Sequence, residues 1–222
     1  MTTVGFIGAG RIGGTLARLA VEAGYDVVLS NSRTPRSLKD QVAALGDKAR
    51  AGTPTDAATA GDIVVVSVPL RAYPMLPVEP LIGKPVLDTC NYYPQRDGHI
   101  AVLDTDATTS SHLVAKHLIG AHVVKAFNNI YFKNLESLPR PSGAPDRSAL
   151  PIAGDDESAK QAATGFINAI GYDVVDAGPL EAGRLFQVGT PAYVAPYGGP
   201  DNEVGTPAGT DTIRAALEAA KH

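Results

Sequence analysis

A glycine-rich motif near the amino terminus is the feature of this sequence with the clearest chemical meaning. Gly8, Gly10 and Gly13 have the spacing Gly-x-Gly-x-x-Gly, directly after a short apolar run and before a helical pattern. In that setting the three glycines allow a tight turn, close approach of a pyrophosphate, and packing of the helix on the strand. The first helical residues, Arg11 and Ile12, then supply amide donors to phosphates. The motif predicts dinucleotide binding; the alternative is a strand–helix turn without a ligand.

The end of the second predicted strand indicates which dinucleotide is bound. An NAD site usually has a carboxylate there, about 20 residues after the glycine motif, to bind the ribose 2′-hydroxyl. This chain has Asn31, Ser32 and Arg33 instead, with no carboxylate. A guanidinium and a hydroxyl suit a 2′-phosphate, which a carboxylate would repel. The sequence therefore favours NADP, and an ordinary polar turn is the alternative.

Other residues follow predicted strands on the side where α/β sheets bind ligands. Val68 and Pro69 end the most apolar strand, and we expect them beside the nicotinamide or its ribose. Residues 91–94 (Asn-Tyr-Tyr-Pro) and Asn128 follow later strands on the same side. A polar and aromatic lining suits a planar acceptor, although ordinary strand ends and packed loop tyrosines would give the same pattern.

The sequence gives no reason to expect a metal site or a named catalytic residue. His112, His117 and His122 are five residues apart, about 140° around a helix, so they cannot share one face. Cys90 is the single cysteine and has no basic neighbour, which favours a buried thiol. Lys125 lies within a predicted strand, where either a structural role or a side chain reaching a pocket is open.

Strands and helices alternate along the whole chain, which predicts an α/β fold with a mainly parallel sheet covered on both faces. One helix is expected to begin at Asp155 as its N-cap and to stop at Gly171. Residues 189–209 contain five glycines and four prolines, too many for regular structure. The other elements expected from apolar patterning are strands near 4–7, 27–29, 62–68, 85–88, 122–127, 150–153 and 172–175, and helices near 12–23, 110–118 and from about 212.

Composition excludes several classes of protein. The 222 residues predict one full domain with an appendage or two small ones, and 44% apolar residues can form a sizeable core. A net charge of −4 makes nucleic acid an unexpected partner. Without a long apolar run, a signal-peptide pattern or a second cysteine, we expect a cytoplasmic protein with no membrane span. A loop rich in Pro, Gly and Ser near 139–146 separates a predicted dinucleotide-binding domain, 1–136, from a smaller part, 148–222.

With these residues in view, the chain resembles the NADPH:deazaflavin oxidoreductases, and it is similar to the cytosolic domain of membrane ferric reductases. The resemblance covers about residues 3–192 and extends well beyond the glycine motif. It rests on Ser32-Arg33, Val68-Pro69, residues 123–128 (Val-Val-Lys-Ala-Phe-Asn), residues 151–158 (Pro-Ile-Ala-Gly-Asp-Asp-Glu-Ser), residues 176–180 (Asp-Ala-Gly-Pro-Leu) and Arg184-Leu185.

The resemblance implies a Rossmann-like, doubly wound sheet whose C-terminal α/β extension completes an acceptor cleft. It also implies hydride transfer between NADP and a deazaflavin, coenzyme F-420, and a homodimer. The segment between Ser30 and Arg33 is one residue longer than in the family, and the Gly/Pro-rich tail from Val194 differs from it. The implied cofactor-binding residues are Gly8, Gly10, Arg11, Ile12, Gly13, Asn31, Ser32, Arg33, Val68, Pro69 and Asn128.

Two other functions stay open at this level. One is an NADPH-dependent reductase of another small-molecule acceptor, such as a flavin, a quinone or an imine. The other is an NADP-binding redox sensor without turnover. The 6-phosphogluconate-dehydrogenase-like and pyrroline-carboxylate-reductase families share the amino-terminal motif but need a long helical second domain, whereas the residues after Asn129 show mixed strand and helix patterns. The sequence does not identify the acceptor, the direction of hydride transfer or the role of residues 189–209.

Overall fold

The computed structural model describes residues 2–221 and contains one eight-stranded sheet with helices on both faces. The strands are β1 (Thr3–Ile7), β2 (Asp26–Ser30), β3 (Ala49–Ala51), β4 (Ile63–Val66), β5 (Pro85–Asp88), β6 (His122–Lys125), β7 (Ala149–Gly154) and β8 (Asp173–Asp176). The helices are α1 (Arg11–Glu22), α2 (Lys39–Leu45), α3 (Pro54–Ala60), α4 (Pro94–Asp97), α5 (Ala101–Asp104), α6 (Ser110–His117), α7 (Phe132–Ser137), α8 (Glu157–Ala169) and α9 (Thr210–Ala219). Short 3-10 helices lie at Pro35–Leu38, Leu70–Met75, Glu79–Leu81, Leu180–Phe186 and Ala195–Tyr197.

The strand order is β3-β2-β1-β4-β5-β6-β7-β8, so the chain reverses direction across the sheet between β1 and β4. All neighbouring strands are parallel except β6 and β7. This is the predicted mainly parallel, Rossmann-like sheet. The register places Ile7 beside both Ser30 and Val66, so the carboxyl ends of β2, β1 and β4 meet at one edge. Ligands of doubly wound sheets bind at that edge, near the point where the strand order reverses.

The core lies on both faces of the sheet. All four residues of β4 are buried, as a strand covered on both faces requires. Ile63 and Val65 belong to the core cluster on one face, and Val64 and Val66 to the cluster on the other. This burial holds the strand ends in fixed positions at the ligand edge.

The carboxyl-terminal part extends the same sheet. β7 runs antiparallel to β6, with Val124 paired to Gly154 and Lys125 to Ala153. Helix α8 packs against β5, β6, β7 and β8, and its Phe166 shares a buried cluster with Phe127 from the first part. Residues 2–136 and 148–221 therefore meet edge to edge and share one core.

Some local features differ from the sequence-based expectations. The N-cap of α8 is Asp156, whose Oδ1 accepts a hydrogen bond from the Ala159 amide at 2.8 Å. The expected cap, Asp155, instead accepts from the Leu180 amide at 2.8 Å, so a tertiary contact decides between the two carboxylates. Strand β3 was not predicted, because three residues with a half-exposed pattern carry no apolar periodicity.

Helix α3 was also missed, although its start signal is present in the sequence. Thr53 and Asp56 form a reciprocal capping box around Pro54, the first helical residue. Across residues 2–221, no helix is long and apolar enough to cross a membrane.

Candidate functional site

A cleft of about 500 Å³ opens at the carboxyl edge of the sheet, where α1 begins. Its volume falls within the range of small-molecule and cofactor sites. Segments after β1, β4, β5 and β6 contribute to it, together with part of the Gly/Pro-rich segment 189–209. Its lining residues are Gly10, Arg11, Ile12, Ser67, Val68, Pro69, Thr89, Asn91, Tyr93, Arg96, Phe127, Asn128, Ile130, Tyr131, Phe132, Tyr193, Val194 and Pro200.

Glycine is present at the three positions of the motif for different structural reasons. Gly8 has φ of +118°, and a Cβ there would lie 2.0 Å from the carbonyl oxygen of Ser67. A Cβ on Gly13 would lie 2.0 Å from the carbonyl oxygen of Gly8. A Cβ on Gly10, in contrast, would have no heavy atom within 4 Å among the described residues. The protein backbone therefore requires Gly8 and Gly13, while Gly10 leaves open space at the cleft.

The amino terminus of α1 borders that open space. Gly10 is the N-cap and makes no side-chain cap, and the first turn of the helix contains no acidic residue. The guanidinium of Arg11 lies 5.0 Å from the centre of the Phe132 ring, and both residues line the cleft. Free amides at a helix amino terminus, beside a cation, form a site for phosphate.

The loop after β2 is an exposed turn outside the lining of this cleft. Asn31 uses its own side chain to hold the turn: its Nδ2 donates to Ser37 Oγ at 3.0 Å, and its Oδ1 accepts from the Arg33 amide at 2.9 Å. Ser32 and Arg33 are exposed. The turn thus presents Ser32 and Arg33 outward, whereas both polar groups of Asn31 already have partners.

Strand ends after β4, β5 and β6 form the middle of the cleft. Val68 and Pro69 line it just after the end of β4. Asn91 and Asn128 are joined across two strands, because Asn91 Nδ2 donates to the Asn128 carbonyl at 2.7 Å. Asn128 Nδ2 donates in turn to the Phe186 carbonyl at 2.8 Å.

One polar atom of the Asn128 side chain also has no hydrogen-bond partner among the described residues. The residue is 4% exposed, and its Oδ1 has no hydrogen-bond partner among residues 2–221. A buried acceptor without a partner costs about 1–3 kcal/mol, which the surrounding structure must offset.

Three aromatic residues of the cleft lining, Tyr131, Phe132 and Tyr193, were not predicted from the sequence. Tyr131 and Phe132 pack edge to face at 4.7 Å between ring centres, and Tyr193 comes from the Gly/Pro-rich segment. That segment is held over the cleft because the Val194 amide donates to the Asn129 carbonyl at 2.9 Å and Asn129 Nδ2 donates to the Ala192 carbonyl at 2.9 Å. Hydrogen bonds and core packing between residues far apart in sequence place it there.

Two non-glycine residues at the cleft have left-handed backbone. Phe127 has φ of +61° and Val194 has φ of +50°. Each such residue costs on the order of 1–3 kcal/mol, which the surrounding structure must offset. Strain of this kind often marks a binding site, and here both residues belong to its lining.

Comparison with known proteins assigns the chain to a family. A family model described as "NADP oxidoreductase coenzyme F420-dependent" matches residues 3–92. A protein of Sinorhizobium meliloti described as hypothetical is 30% identical, with 87% of this chain and 93% of that chain covered and a TM-score of 0.76. The chain belongs to the family of coenzyme F-420-dependent NADP oxidoreductases. It is therefore an NADP-dependent oxidoreductase.

Other solved structures share the fold at lower identity. A protein of Arthrobacter sp. FB24 named for F-420-dependent NADP reductase activity is 20% identical, with 83% and 87% of the two chains covered and a TM-score of 0.70. The 3-hydroxyisobutyrate dehydrogenase of Mycobacterium tuberculosis is 18% identical with a TM-score of 0.57, and this oxidoreductase spans 58% of its length. No curated protein has a significant sequence match to the chain.

Lys125 of this oxidoreductase lies beneath the cleft in a polar network. The side chain is fully buried, and burial lowers the pKa of its ammonium. Its Nζ donates to Ser111 Oγ at 3.0 Å, and Ser111 donates to Asp88 Oδ2 at 2.7 Å. Lys125 is not part of the cleft lining. Its contacts instead tie β6, β5 and α6 together.

Cys90 and the histidines of the oxidoreductase have separate local roles. Cys90 is buried, and burial raises the pKa of its thiol well above the usual value. His112 lies 3.3 Å from Glu181, His117 Nε2 lies 3.0 Å from the Leu76 carbonyl, and His122 pairs with α8 on another part of the surface. Within the described part of the chain, no three His, Cys, Asp or Glu residues lie close enough to hold a metal.

Proposed function

We propose that this oxidoreductase transfers a hydride between NADP(H) and a deazaflavin, coenzyme F-420. The observation that carries the proposal is the lining of the cleft, which combines open space at Gly10 with the aromatic side chains Tyr131, Phe132 and Tyr193. Tyr131 and Phe132 in that lining present ring surfaces to any flat group beside the nicotinamide site. The family description names the same cofactor pair, which supports the proposal.

Each part of NADP has a proposed place in the structure. The pyrophosphate lies against Gly10 and the first amides of α1. Because Gly10 has no Cβ, the space beside it stays open for this group. The 2′-phosphate meets Arg33, with Ser32 as a neutral donor, on the exposed turn after β2. The nicotinamide lies beside Pro69 and Asn128.

The protein's own contribution is to align two flat rings and to exclude water. Bound NADPH supplies the hydride, so the chain needs to hold the two reactants at contact distance rather than to form a covalent bond with either. The hydrogen-bonded pair of half-buried Asn91 and buried Asn128 fixes the floor of the cleft. The segment around Tyr193 and Val194 covers the acceptor side.

The test is a comparison of acceptors. Purified protein is incubated with NADPH and, in separate reactions, oxidised coenzyme F-420, FMN, a quinone or a cyclic imine, while nicotinamide absorbance is followed. Turnover with coenzyme F-420 alone supports the proposal. Turnover with another acceptor only makes the protein a reductase of that compound. Tight NADPH binding without oxidation by any of them would indicate a redox sensor.

We also propose that the protein acts as a homodimer. The family resemblance implies it, and two exposed apolar side chains suit an interface: Ile82 is 59% and Ile119 is 73% exposed. The two residues lie on neighbouring turns joined by the Gly83 amide, which donates to the Gly120 carbonyl at 2.7 Å. Light scattering after size-exclusion chromatography should give twice the mass of the chain, and a monomer mass would contradict this assignment.

A further inference from the structure

Two tyrosines from distant parts of the chain share a hydrogen bond inside the cleft. Tyr93 follows β5, Tyr193 lies in the Gly/Pro-rich segment, and their hydroxyl groups are bonded to each other. Both residues line the cleft beside the proposed acceptor position. Nothing in the nucleotide-binding part of the site requires this pair.

A cation packs against the ring of Tyr93. The guanidinium of Arg96 lies 4.8 Å from the centre of the Tyr93 ring. Arg96 is held in place because its Nη2 donates to the Asn91 carbonyl at 2.7 Å and to Asp97 Oδ2 at 2.8 Å. The Tyr93 amide donates to Asp97 at 3.0 Å, so one carboxylate holds both the Tyr93 backbone and the Arg96 side chain.

The surroundings of Tyr193 oppose its ionisation. Burial, together with the hydrogen bond to Tyr93, raises the pKa of the Tyr193 hydroxyl well above its usual value. Either hydroxyl can be the donor in the bond between the two tyrosines. When Tyr193 is the donor, the O–H of Tyr93 is free to donate to a molecule in the cleft, and once Tyr93 has given up its proton Tyr193 is necessarily the donor.

Reduction by hydride requires a proton as well. When hydride adds to the electrophilic carbon of a conjugated C=N or C=O group, the π electron pair moves to the heteroatom, which then needs a proton. We propose that Tyr93 is the catalytic acid that donates this proton, and that Tyr193 is a positioning residue that holds the Tyr93 hydroxyl in place. This inference rests on the proposed hydride transfer.

The step balances in atoms and electrons. NADPH loses a hydride and becomes NADP⁺, and a C–H bond forms on the acceptor. The O–H bond of Tyr93 breaks while an N–H or O–H bond forms on the acceptor heteroatom. The resulting phenolate is stabilised by the Tyr193 hydroxyl, and solvent returns its proton. The pair thus fits two-electron acceptors with a ring nitrogen or carbonyl, and not one-electron acceptors such as ferric chelates.

A titration without turnover tests the pairing. The protein is labelled with 13Cζ-tyrosine, and the Tyr93 signal is assigned by its loss in Tyr93→Phe. In Tyr193→Phe the phenolate of Tyr93 lacks its hydrogen-bond donor, so we expect the ionisation of Tyr93 to move to higher pH. An unchanged Tyr93 titration in that variant would overturn the proposed pair.

Kinetics test the acid role. With the best acceptor from the comparison above, Tyr93→Phe should lower kcat by about 100-fold or more, as expected for loss of a general acid. The decline of the wild-type rate at alkaline pH should disappear in Tyr93→Phe and move to higher pH in Tyr193→Phe. NADPH affinity, measured by fluorescence, should change little in either variant. Tyr73→Phe removes a hydroxyl outside the cleft, where the ring packs on His117, and is the matched control.

Different results would contradict the proposed hydride transfer and the proposed acid role of Tyr93. If the wild type oxidises NADPH with none of the acceptors, the proposed function is wrong, and the titration still decides whether the tyrosine pair exists as described. If the wild type turns over and Tyr93→Phe matches its rate and pH profile, the acid role is wrong while hydride transfer stands.

Discussion

The carbonyl oxygen of Gly8 lies 2.0 Å from the position that a Cβ atom would occupy on Gly13. Helix α1 therefore approaches the end of β1 more closely than any side chain permits. This contact sets the position of the helix amino terminus, and with it the open space at Gly10. Two glycines are thus required by the backbone, and the third leaves open space at the cleft.

The first prediction uses that difference. Gly10 has φ of −76°, which any residue adopts, so Gly10→Val should fold with a near-normal circular dichroism spectrum. Its side chain would occupy the space of the pyrophosphate, and NADPH binding should fall below detection in a fluorescence titration. Gly13→Val is the matched comparison and should fail to fold, because its Cβ meets backbone. Wild-type NADPH affinity in Gly10→Val would contradict the phosphate site.

The second prediction concerns cofactor preference. A hydrogen bond to a charged group contributes about 1.5–3 kcal/mol, so Arg33→Ala should weaken NADPH binding roughly 10- to 150-fold while changing NADH little. Added salt should reduce the difference, because Arg33 is exposed. Arg214→Ala removes the same charge from α9, at the far edge of the sheet, and should change neither affinity. Equal weakening of NADPH and NADH by Arg33→Ala would show that Arg33 supports the turn instead.

The third prediction concerns the loop that holds Tyr93. The side chain of Asp97 is fully buried; burial raises its pKa, but hydrogen bonds from Arg96 and from the amides of Tyr93 and Arg71 outweigh this and lower it overall. A lowered folded-state pKa contributes stability above the usual value of 3.8, and that stability is lost as the pH falls further through the folded-state value.

Asp97→Asn should accordingly lower the free energy of unfolding by about 1–3 kcal/mol at neutral pH, since the ionised acceptor is lost. The difference between wild type and variant should shrink below pH 3.8. Urea unfolding at both pH values measures this. The control is Asp211→Asn, which changes an exposed carboxylate on α9. A similar decrease in the free energy of unfolding there would show a general charge effect.

The fourth prediction separates the two interpretations of Lys125. Lys125→Met keeps the volume of the side chain but leaves Asp88 as a buried charge without its cation, which should cost about 3–5 kcal/mol of stability. NADPH affinity should be retained at a temperature where the variant is folded. Wild-type stability combined with loss of turnover would instead assign Lys125 to the reaction.

The fifth prediction is that activity needs no metal. The described residues contain no cluster able to hold one, and hydride transfer between two organic rings requires none. NADPH oxidation should survive extensive dialysis against a chelator. Activity that is lost and then restored by zinc or iron would reveal a metal site that the sequence and the structure do not indicate.

Much of the fold of this protein can be predicted from local sequence patterns. The glycine motif needs only the turn between β1 and α1, and the absence of a carboxylate after β2 is a matter of residue type. The apolar run that became β4 indicates a strand buried on both faces, because period and composition report burial directly. Those three signals suffice for the fold class and for the preference for NADP.

The acceptor side of the cleft depends on contacts between residues far apart in the chain. Composition indicates only that the segment 189–209 is irregular, whereas the bond from the Val194 amide to the Asn129 carbonyl places Tyr193 beside Tyr93. The burial of Lys125 likewise follows from the packing of β6 against neighbours on both sides. A glycine- and proline-rich chain has many local conformations of similar energy, so the long-range hydrogen bonds and packing select one of them.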